Sequence, residues 1–445
     1  PAGADADTPP RLWSVLEGDL RRGGLWDLFT TVEMPIVPVL VGMQVRGVAI
    51  DVPLLTGMAA DLGERLAHLE AQAYDLLGHQ FNLNSPKQLA QVLFEELRAP
   101  KTKRTPTGGY TTDAAALEEM KEKLGMGEVS GADARLLPLL ESLSEYRQLS
   151  KLKSTYVDAL TELVNPKTGR LHTSYNQASV ITGRISSSEP NLQNIPIRTP
   201  LGKQIRHAFI PGYEGWLLVG ADYSQIELRV LAHLSQDPAL LEAFHRDLDI
   251  HAATASQVFG VPIDQVSPDQ RRLAKVLNFG VIYGLSAYGI SQQTELTPEE
   301  GQQFIENYLG KYPGIRAYVE GTKQEAREKG FVQTLLGRKR AVPEIHSSNA
   351  NLRAQAEREA INMPVQGTAA EVMKLAMVQV DRRLRGEGLK AGLLLQVHDE
   401  LVFEAPAEEV ERLKALLLDV MPRAMALSVP LKVKVSVGKN WGELE

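Results

Sequence analysis

Cysteine is absent from all 445 residues of the chain. Its absence excludes disulfide bonds, thiolate zinc sites and a cysteine nucleophile. The sequence also lacks an apolar run of roughly 18 residues, the length that is typical of a membrane-spanning helix. The chain does not open with a basic stretch followed by an apolar segment, so a secretory signal is not indicated. Together these absences predict an intracellular protein that makes no contact with a membrane.

An excess of positive charge is missing as well. The formal net charge is −7, which argues mildly against nucleic acid as a partner. The distribution of charge matters more than its sum, because basic residues bind phosphates where they cluster. A solvated surface is the simpler interpretation of any one basic cluster, but four of them in one acidic chain are suggestive. They are Lys101–Arg104, Lys151 with Lys153, Arg271 and Arg272 with Lys275, and Arg338–Arg340.

What is present indicates an α+β fold with two to four structural units. Apolar residues recur with helical spacing in some segments, while others are short apolar runs or alternate as half-buried strands do. The predicted helices are Pro53–Leu77, a helix with Ser85 as its N-cap, Leu136–Leu163, a long helical region to about Tyr318 and a helix-rich return from Asn349. The predicted strands are Trp216–Ala221, Leu393–Val397, Leu401–Glu404 and Leu431–Val437. We therefore expect one sheet assembled from distant segments, with helical inserts between them.

Two carboxylates stand at the ends of predicted strands. Asp222 follows a buried strand, and Asp399 lies in the turn between two strands. Either residue alone has a structural explanation, because Asp is common at helix caps and in turns. Two carboxylates at adjoining strand ends of one sheet could instead hold hard cations, and magnesium suits such a site because it binds one or two carboxylates together with substrate phosphates.

A third segment predicts a helix with a mixed stripe. Arg271, Lys275, Phe279 and Tyr283 recur at every fourth residue, so each advances roughly 40° around the helix from the one before. An ordinary amphipathic helix would bury the aromatic residues and leave the cations in water. Alternatively, the cations hold a triphosphate while an aromatic face stacks on a base. The spacing alone does not separate these two interpretations.

Three segments taken together resemble a known family. Asp222–Arg229, Arg271–Gly284 and Val397–Glu400 resemble, in this order, the three polymerase motifs of the bacterial family A DNA polymerases. The resemblance extends from about Pro35 to the end of the chain. It includes four supporting segments, which are Thr182–Arg184, Asn191–Pro196, Asn362–Gly367 and Gly438–Trp441.

This resemblance implies a right-hand polymerase fold, with an antiparallel palm sheet and helical fingers and thumb. Residues 1–34 would be a remnant of an exonuclease-like domain or a linker. Residues 35–168 would form the thumb with its entry segment, 169–227 the first part of the palm, 228–347 the fingers and 348–445 the second part of the palm. The missing initiator Met and the short stretch before the thumb suggest a truncated fragment, without proofreading or 5′-nuclease activity.

The resemblance also implies roles for the residues of the motifs. Asp222, Asp399 and the backbone carbonyl of Tyr223 would bind two Mg²⁺ ions, and Glu400 beside them would be supportive. Lys275 would take part in catalysis. The incoming nucleotide would be bound by Arg271, Lys275, Phe279, Tyr283, Glu227, His251 and Gln225; among these, Phe279 would stack on the base and Glu227 with Tyr283 would exclude a ribose 2′-hydroxyl. DNA would be bound by Arg184, Asn191, Gln193, Gln366 and His398 near the primer end, and by Lys151 and Lys153 in the thumb.

The implied activity is template-directed addition of deoxynucleotides to a primer 3′-hydroxyl with release of pyrophosphate. The implied partners are primer-template DNA and deoxynucleoside triphosphates, and we expect a monomer in the bacterial cytoplasm, associated with the nucleoid. Three rival functions share some of these features. A two-metal nuclease has no need of the Lys275–Tyr283 stripe, a single-subunit RNA polymerase does not fit Glu227, and an inactive DNA-binding scaffold would be expected to have lost Asp222 or Asp399.

Overall fold

The computed structural model describes residues 2–105, 108–127, 131, 133–197, 199–284, 286–294 and 296–444. Most of these residues are helical. The α-helices are α1 Ala2–Arg22, α2 Trp26–Leu28, α3 Met34–Arg46, α4 Val52–Leu77, α5 Pro86–Ala90, α6 Ala114–Gly125, α7 Leu136–Leu152, α8 Ala159–Glu162, α9 Pro200–His207, α10 Ile226–Ser235, α11 Pro238–His245, α12 Ile250–Phe259, α13 Pro268–Ile282, α14 Ala287–Ser291, α15 Pro298–Lys311, α16 Pro313–Lys329, α17 Ala350–Gly386 and α18 Val410–Val420.

Shorter helical turns and strands complete the fold. Wider π-helical turns occur at Phe29–Glu33, Gln91–Glu96 and Lys153–Asp158, and 3₁₀ turns at Leu192–Asn194, Ile263–Gln265, Pro343–His346, Ala407–Glu409, Met421–Arg423 and Trp441–Leu444. The strands are β1 Val48–Ile50, β2 Arg170–Leu171, β3 Ser174–Asn176, β4 Ser186–Ser188, β5 Phe209–Ile210, β6 Trp216–Tyr223, β7 Phe331–Gln333, β8 Lys339–Ala341, β9 Gly392–Val397, β10 Glu400–Pro406 and β11 Val433–Gly438.

A four-stranded antiparallel sheet, in the order β11-β6-β10-β9, lies at the centre of the fold. The strand β6 pairs with β10 on one side and with β11 on the other. Successive side chains of a strand point to opposite faces. Val219 and Ala221 accordingly pack into one apolar core together with α18, while Leu218 packs into a second core with Trp441. Burial on both faces explains why this strand is a nearly continuous apolar run.

Two helical regions flank the sheet. Residues 52–162 form one of them, in which α4 begins where the side chain of Asp51 accepts a hydrogen bond from the backbone N–H of Leu54. Residues 226–329 form the other and separate β6 from the long helix α17. Within this second region, α15 begins with a reciprocal capping box between Thr297 and Glu300, an arrangement that satisfies two backbone donors at a helix start.

The N-terminal part of the chain contains a helical stretch, Trp26–Arg46, whose 21 residues and mean hydropathy of 1.5 make it long and apolar enough to cross a membrane by length and composition alone. The stretch is not an uninterrupted apolar run, because polar residues such as Glu33 and Gln44 lie among the apolar ones. Ile36, Val39, Leu40 and Met43 of this stretch pack into the same core as the central sheet. A core helix of this kind passes the same test as a membrane span.

Most of the predicted elements are confirmed, with differences at their ends. The helices predicted at Pro53–Leu77 and Leu136–Leu163 are present, the second with a π-helical turn inside it. The last strand begins at Val433 rather than Leu431. The helix with the mixed stripe ends at Ile282, one residue before Tyr283. Asp222 is the penultimate residue of β6 instead of following the strand, because β6 stays paired to β11 up to Tyr223.

Candidate active site

The two predicted metal-binding carboxylates lie at the same edge of the central sheet. Asp222 of β6 is directly opposite Glu400 of β10 in the antiparallel register. His398 and Asp399 form the two-residue connection between β9 and β10, with His398 in the left-handed region at φ 53°. The backbone N–H of Tyr223 donates to the carbonyl oxygen of Asp399 over 3.0 Å. Strand pairing therefore holds Asp222 and Asp399 next to each other.

The electrostatics of this edge favour a bound cation. The protein around the cleft removes water from Asp222, although solvent still reaches its side chain, and this desolvation together with the charge of Glu400 raises its pKa to about 6. Desolvation, followed by the charges of Glu227 and Asp222, raises the pKa of Asp399 to about 7, against the opposing effect of Arg184. Nearby like charges make the ionised forms costly. A divalent cation would remove that cost.

The donor set fits magnesium better than a metal held by protein ligands alone. Among the described residues, no group of three or more His, Asp or Glu side chains could hold an ion by itself. Magnesium binds to one or two carboxylates and completes its shell with water and substrate phosphates. Asp222, Asp399 and the nearby backbone carbonyl of Tyr223 provide hard oxygen ligands of this kind.

The side chain of Glu400 is held by the C-terminal 3₁₀ turn, Trp441–Leu444. The indole Nε1 of Trp441 donates to Oε2 of Glu400 over 3.2 Å. The guanidinium of Arg206 lies 3.9 Å from the centroid of the Trp441 ring. On the neighbouring strand, Lys434 is opposite Asp222 and opposes the rise of its pKa. No sequence motif indicated Arg206 or Lys434, because their positions beside Glu400 and Asp222 depend on pairing between distant segments.

The helix α13 presents the mixed stripe on its accessible side. Arg271 and Lys275 are exposed, and Phe279 is half-buried. Nε of Arg271 donates to Oδ2 of Asp249 over 2.9 Å. Asp249 is also the N-cap of α12, where its other oxygen accepts from the backbone N–H of His251. This arrangement brings the two helices together at their N-terminal ends.

His251 lies on the buried side of this group. Its ring centroid is 5.8 Å from that of Phe279. Desolvation lowers its pKa to about 4, with Arg271 and Lys275 contributing further to the lowering, against the opposing charge of Asp249. The imidazole is therefore neutral at physiological pH. Arg271, Phe279 and His251 thus lie close together.

Glu227 lies between Tyr283, which follows α13, and the carboxylate edge of the sheet. Its side chain is 6% exposed and accepts a hydrogen bond from the hydroxyl of Tyr283 over 3.0 Å. A guanidinium nitrogen of Arg184 donates to its other oxygen. The pKa of Tyr283 is raised by desolvation and by Glu227, while a hydrogen bond with Gln366 opposes the rise. These four residues form a wall beside Asp399.

The residues predicted to contact DNA divide into two sets. Arg184, Gln193, His398 and Asp399 line one small cavity at the carboxylate edge. The side-chain amide of Gln193 donates to Oε1 of Gln396 over 3.1 Å, a neighbour that the sequence analysis did not identify.

The remaining predicted residues are placed differently. The side chain of Asn191 accepts from the backbone N–H of Gln193 and so begins a 3₁₀ turn. Gln225 adopts a left-handed conformation at the start of α10. Lys151 is exposed near the end of α7, and Lys153 in the next turn forms an ion pair with Asp158 over 2.8 Å. Both lysines belong to the helical region 52–162 and take no part in the carboxylate cluster.

Known proteins resemble this chain over nearly its whole length. It is 49% identical over 443 residues to a DNA polymerase I of Pseudomonas aeruginosa, covering 99% of this chain and 47% of that protein. It is 50% identical over 431 residues to the thermostable DNA polymerase I of Thermus aquaticus, covering 97% of this chain and 50% of that protein. The chain therefore spans about half the length of the curated relatives it matches.

A solved structure shares the fold. The POL domain of Pol1 from M. smegmatis, in complex with DNA primer-template and dNTP, superposes with a TM-score of 0.89 at 44% identity, over 96% of this chain and 73% of that one. The predicted α+β right-hand polymerase fold is confirmed by this likeness. The family description "DNA polymerase family A" matches residues 52–443. The chain belongs to DNA polymerase family A.

Proposed function

We propose that this chain is a template-directed DNA polymerase that adds deoxynucleotides to a primer 3′-hydroxyl and releases pyrophosphate. The observation that carries the proposal is that Asp222 and Asp399 lie at one sheet edge, where Glu227 beside Asp399 accepts a hydrogen bond from Tyr283, the last residue of the stripe. In a phosphoryl transfer, the protein contributes mainly by positioning the reactants and stabilising charge. The carboxylates would stabilise charge through bound metal ions, and the stripe would position the nucleotide.

Two Mg²⁺ ions would be held by Asp222, Asp399 and the carbonyl of Tyr223. When bound, such ions lower the pKa of the attacking hydroxyl and neutralise charge on the phosphates. The pKa values are raised to about 6 for Asp222 and about 7 for Asp399, which shows that nearby positive charge is too small to stabilise the two ionised carboxylates. A bound cation would supply that charge, and this supports the assignment. Glu400, held by Trp441, would assist without being essential.

The triphosphate would bind at the N-terminal half of α13. Arg271 and Lys275 are exposed on the same side of the helix, and charged donors of this type form the strongest hydrogen bonds to phosphate. His251 would add a neutral donor. Lys275 would also stabilise the charge that develops on the departing pyrophosphate. Phe279, one turn further along, would stack on the base of the nucleotide.

Sugar selection would depend on Glu227 and Tyr283. The hydrogen bond of 3.0 Å between them fixes both side chains. A ribose 2′-hydroxyl placed against this closed pair would meet a steric wall. It would also disturb a carboxylate that is 6% exposed and already accepts bonds from Tyr283 and Arg184. This arrangement favours deoxynucleotides over ribonucleotides.

The duplex would lie across the sheet edge toward the region 52–162. Arg184, Gln193, Gln366 and His398 would contact the primer-template near its end, with Asn191 close by. Contacts to acceptors that all base pairs share in the minor groove would test pairing without reading sequence. Lys151 and Lys153 would contact phosphates further along the duplex; for Lys153 this requires competition with Asp158.

We propose the subdomain limits that the resemblance implies. The thumb would be 35–168, the palm 169–227 with 348–445, and the fingers 228–347. Gln225 stands where the palm meets the fingers and would contact the nucleotide at that junction. We further propose that residues 1–445 act as a monomer and perform no nuclease reaction by themselves. The primer-extension experiment below tests the second of these points, because a nuclease would shorten the labelled primer.

Primer extension tests the proposal directly. A labelled primer on a DNA template is incubated with Mg²⁺ and either deoxynucleotides or ribonucleotides. The enzymes compared are the wild type, Asp222→Asn and Asp399→Asn, with Asp264→Asn on the exposed surface as a matched control. We expect extension with deoxynucleotides, a fall of about a thousandfold in both site variants because several kcal/mol of charge stabilisation are lost, and no change in the control.

Two other outcomes would contradict the proposal. A primer that becomes shorter would indicate a two-metal nuclease. A primer that stays unchanged while the duplex still binds would indicate an inactive scaffold, in which the paired carboxylates no longer perform chemistry.

A further inference from the structure

A fully buried polar network lies beneath the helix α13, behind the proposed triphosphate site. At its centre is Asn278, whose side chain is 0% exposed. Oγ1 of Thr254 donates to Oδ1 of Asn278 over 3.1 Å, and the hydroxyl of Tyr308 donates to the same oxygen over 3.2 Å. The hydroxyl of Tyr312 in turn donates to Oγ1 of Thr254 over 3.2 Å. Four buried side chains are thus connected by hydrogen bonds that lead to the Oδ1 atom of Asn278.

The direction of these hydrogen bonds determines which way the amide of Asn278 points. Burial raises the pKa of Tyr308 far above its usual value, so its hydroxyl keeps its proton and donates. Thr254 accepts a hydrogen bond from Tyr312 and donates its own to Asn278. Both donors therefore need an acceptor, which is Oδ1. If the amide were rotated by 180°, its nitrogen would face Tyr308 and the hydroxyl would lose Oδ1, its acceptor among the described residues. An unpaired buried polar group costs free energy of folding.

With Oδ1 occupied in this way, the amide nitrogen of Asn278 faces His251. Nδ2 of Asn278 lies 3.1 Å from Nδ1 of the imidazole. An amide nitrogen only donates, so Nδ1 must accept. In a neutral imidazole, the proton then belongs to Nε2.

We propose that Asn278 is a positioning residue that holds His251 in the Nε2–H tautomer, so that Nε2 donates a hydrogen bond to the triphosphate. This proposal rests on the proposed function, which places the triphosphate at Arg271, Lys275 and His251. It adds a residue that contacts neither nucleotide nor metal. It also assigns a role to the Thr254, Tyr308 and Tyr312 hydroxyls, which orient the amide.

The tautomer matters because a neutral imidazole cannot attract a phosphate by a positive charge. Burial keeps the imidazole neutral, with a pKa of about 4, so a phosphate oxygen meets either an N–H group or a lone pair. An N–H group attracts the oxygen, whereas a lone pair repels it. A neutral His251 therefore helps only if the correct nitrogen carries the proton.

Nitrogen-15 NMR of labelled histidines measures the tautomer without any catalysis. The His251 signal is assigned by its loss in His251→Gln. We expect the wild type to show a protonated Nε2 and an unprotonated Nδ1. Asn278→Asp keeps the side-chain size but presents acceptors alone, so Nδ1 should become protonated. Asn278→Leu removes the donor, and a mixture of both tautomers is expected.

Steady-state kinetics then connect the tautomer to the nucleotide. We expect Asn278→Leu to raise KM for the deoxynucleotide about five-fold, the effect of losing one net hydrogen bond, with a smaller change in kcat. In the His251→Gln background, the same substitution should change KM by less than two-fold. Tyr318→Phe, which removes a hydroxyl that donates to the backbone carbonyl of Ile361 outside this network, serves as the matched control for loss of a buried hydroxyl, and thermal unfolding verifies that each variant is folded.

Two results would overturn the proposal. One is a wild-type His251 with its proton on Nδ1. The other is an Asn278→Leu effect on KM that is equally large in the His251→Gln background, because Asn278 would then act on the fold rather than through the imidazole. A wild type that shows the expected tautomer but does not extend a primer would refute the proposed function and leave the tautomer assignment intact.

Discussion

A buried ion pair between Lys374 and Glu33 connects the long helix α17 to the N-terminal helical stretch. The ammonium of Lys374 is 1% exposed and donates to the two carboxylate oxygens of Glu33 over 2.8 and 2.9 Å. Glu33 also accepts from Arg338 and, over 2.7 Å, from Gln177. Desolvation lowers the pKa of Lys374, and Glu33 opposes that effect. The pair is therefore a point at which removal of one partner should be costly.

We predict that Glu33→Ala destabilises the protein by about 3 kcal/mol at pH 7. Removing one member of a buried pair typically costs 3–5 kcal/mol because the other charge stays buried without compensation, and the lower end applies because Glu33 is 19% exposed. Lys374→Met should cost less, about 1 kcal/mol, because Glu33 keeps Arg338 and Gln177 as partners. The double variant should resemble Lys374→Met, giving a coupling of about 3 kcal/mol between the two sites.

Chemical denaturation at pH 7 and pH 9 provides the assay. The pKa of Lys374 falls further when Glu33 is removed, so the buried amine loses its proton more easily as the pH rises. The deficit of Glu33→Ala should therefore be smaller at pH 9. Glu17→Ala, which breaks the exposed Glu17–Arg21 pair, is the matched control and should cost under about 0.5 kcal/mol. A Glu33→Ala deficit as small as that of the control, or one that is independent of pH, would refute the reasoning.

Three further predictions concern the proposed active site. Glu227→Ala should raise the use of ribonucleotides relative to deoxynucleotides at least about tenfold, since the wall with Tyr283 is opened; competition between the two nucleotides in primer extension measures the ratio, and an unchanged ratio would contradict the assignment. Phe279→Tyr should increase incorporation of dideoxynucleotides, because the added hydroxyl can take the place of the missing 3′-hydroxyl beside the nucleotide; chain-termination patterns measure the change. Folded His251 has a pKa of about 4, below its unfolded value, so wild-type stability should fall by up to about 3 kcal/mol as the pH drops from 6.5 to 4. Urea unfolding at both pH values should show a shallower fall for His251→Gln, and equal slopes would contradict the pKa.

The local elements were predictable because local interactions determine them. Ser85 accepts from the backbone of Gln88 and begins a helix at Pro86, as its sequence context indicated. The strand before Asp222 was evident from its apolar run. The ends of elements were less predictable: β6 extends through Tyr223 because β11 supplies hydrogen-bond partners there, and no pattern within residues 216–223 indicates that neighbour.

Local patterns predicted the carboxylates and the stripe separately. Only the resemblance to the family motifs placed them in one site, and no local pattern did so. Asn278 lies within the second motif, Arg271–Gly284, but no role was predicted for it. The hydrogen bonds of an amide inside a helix cannot be predicted until its neighbours in space are known. Arg206 and Lys434 gave no signal at all. Their proximity to Glu400 and Asp222 arises from strand pairing and from the C-terminal turn.

By itself, the sequence determined the fold class and most helices and strands, because propensity and periodicity act over a few residues. It also predicted, through the motifs of the family, the residues that we propose to carry the chemistry. The tertiary structure alone decided which distant groups meet. Lys374 and Glu33 are 341 positions apart, and Asn278 and His251 belong to different helices. Such contacts depend on how helices and strands pack into a common core. The protonation of His251 and the charge of the carboxylate edge follow from that packing, since burial and neighbouring charges set them.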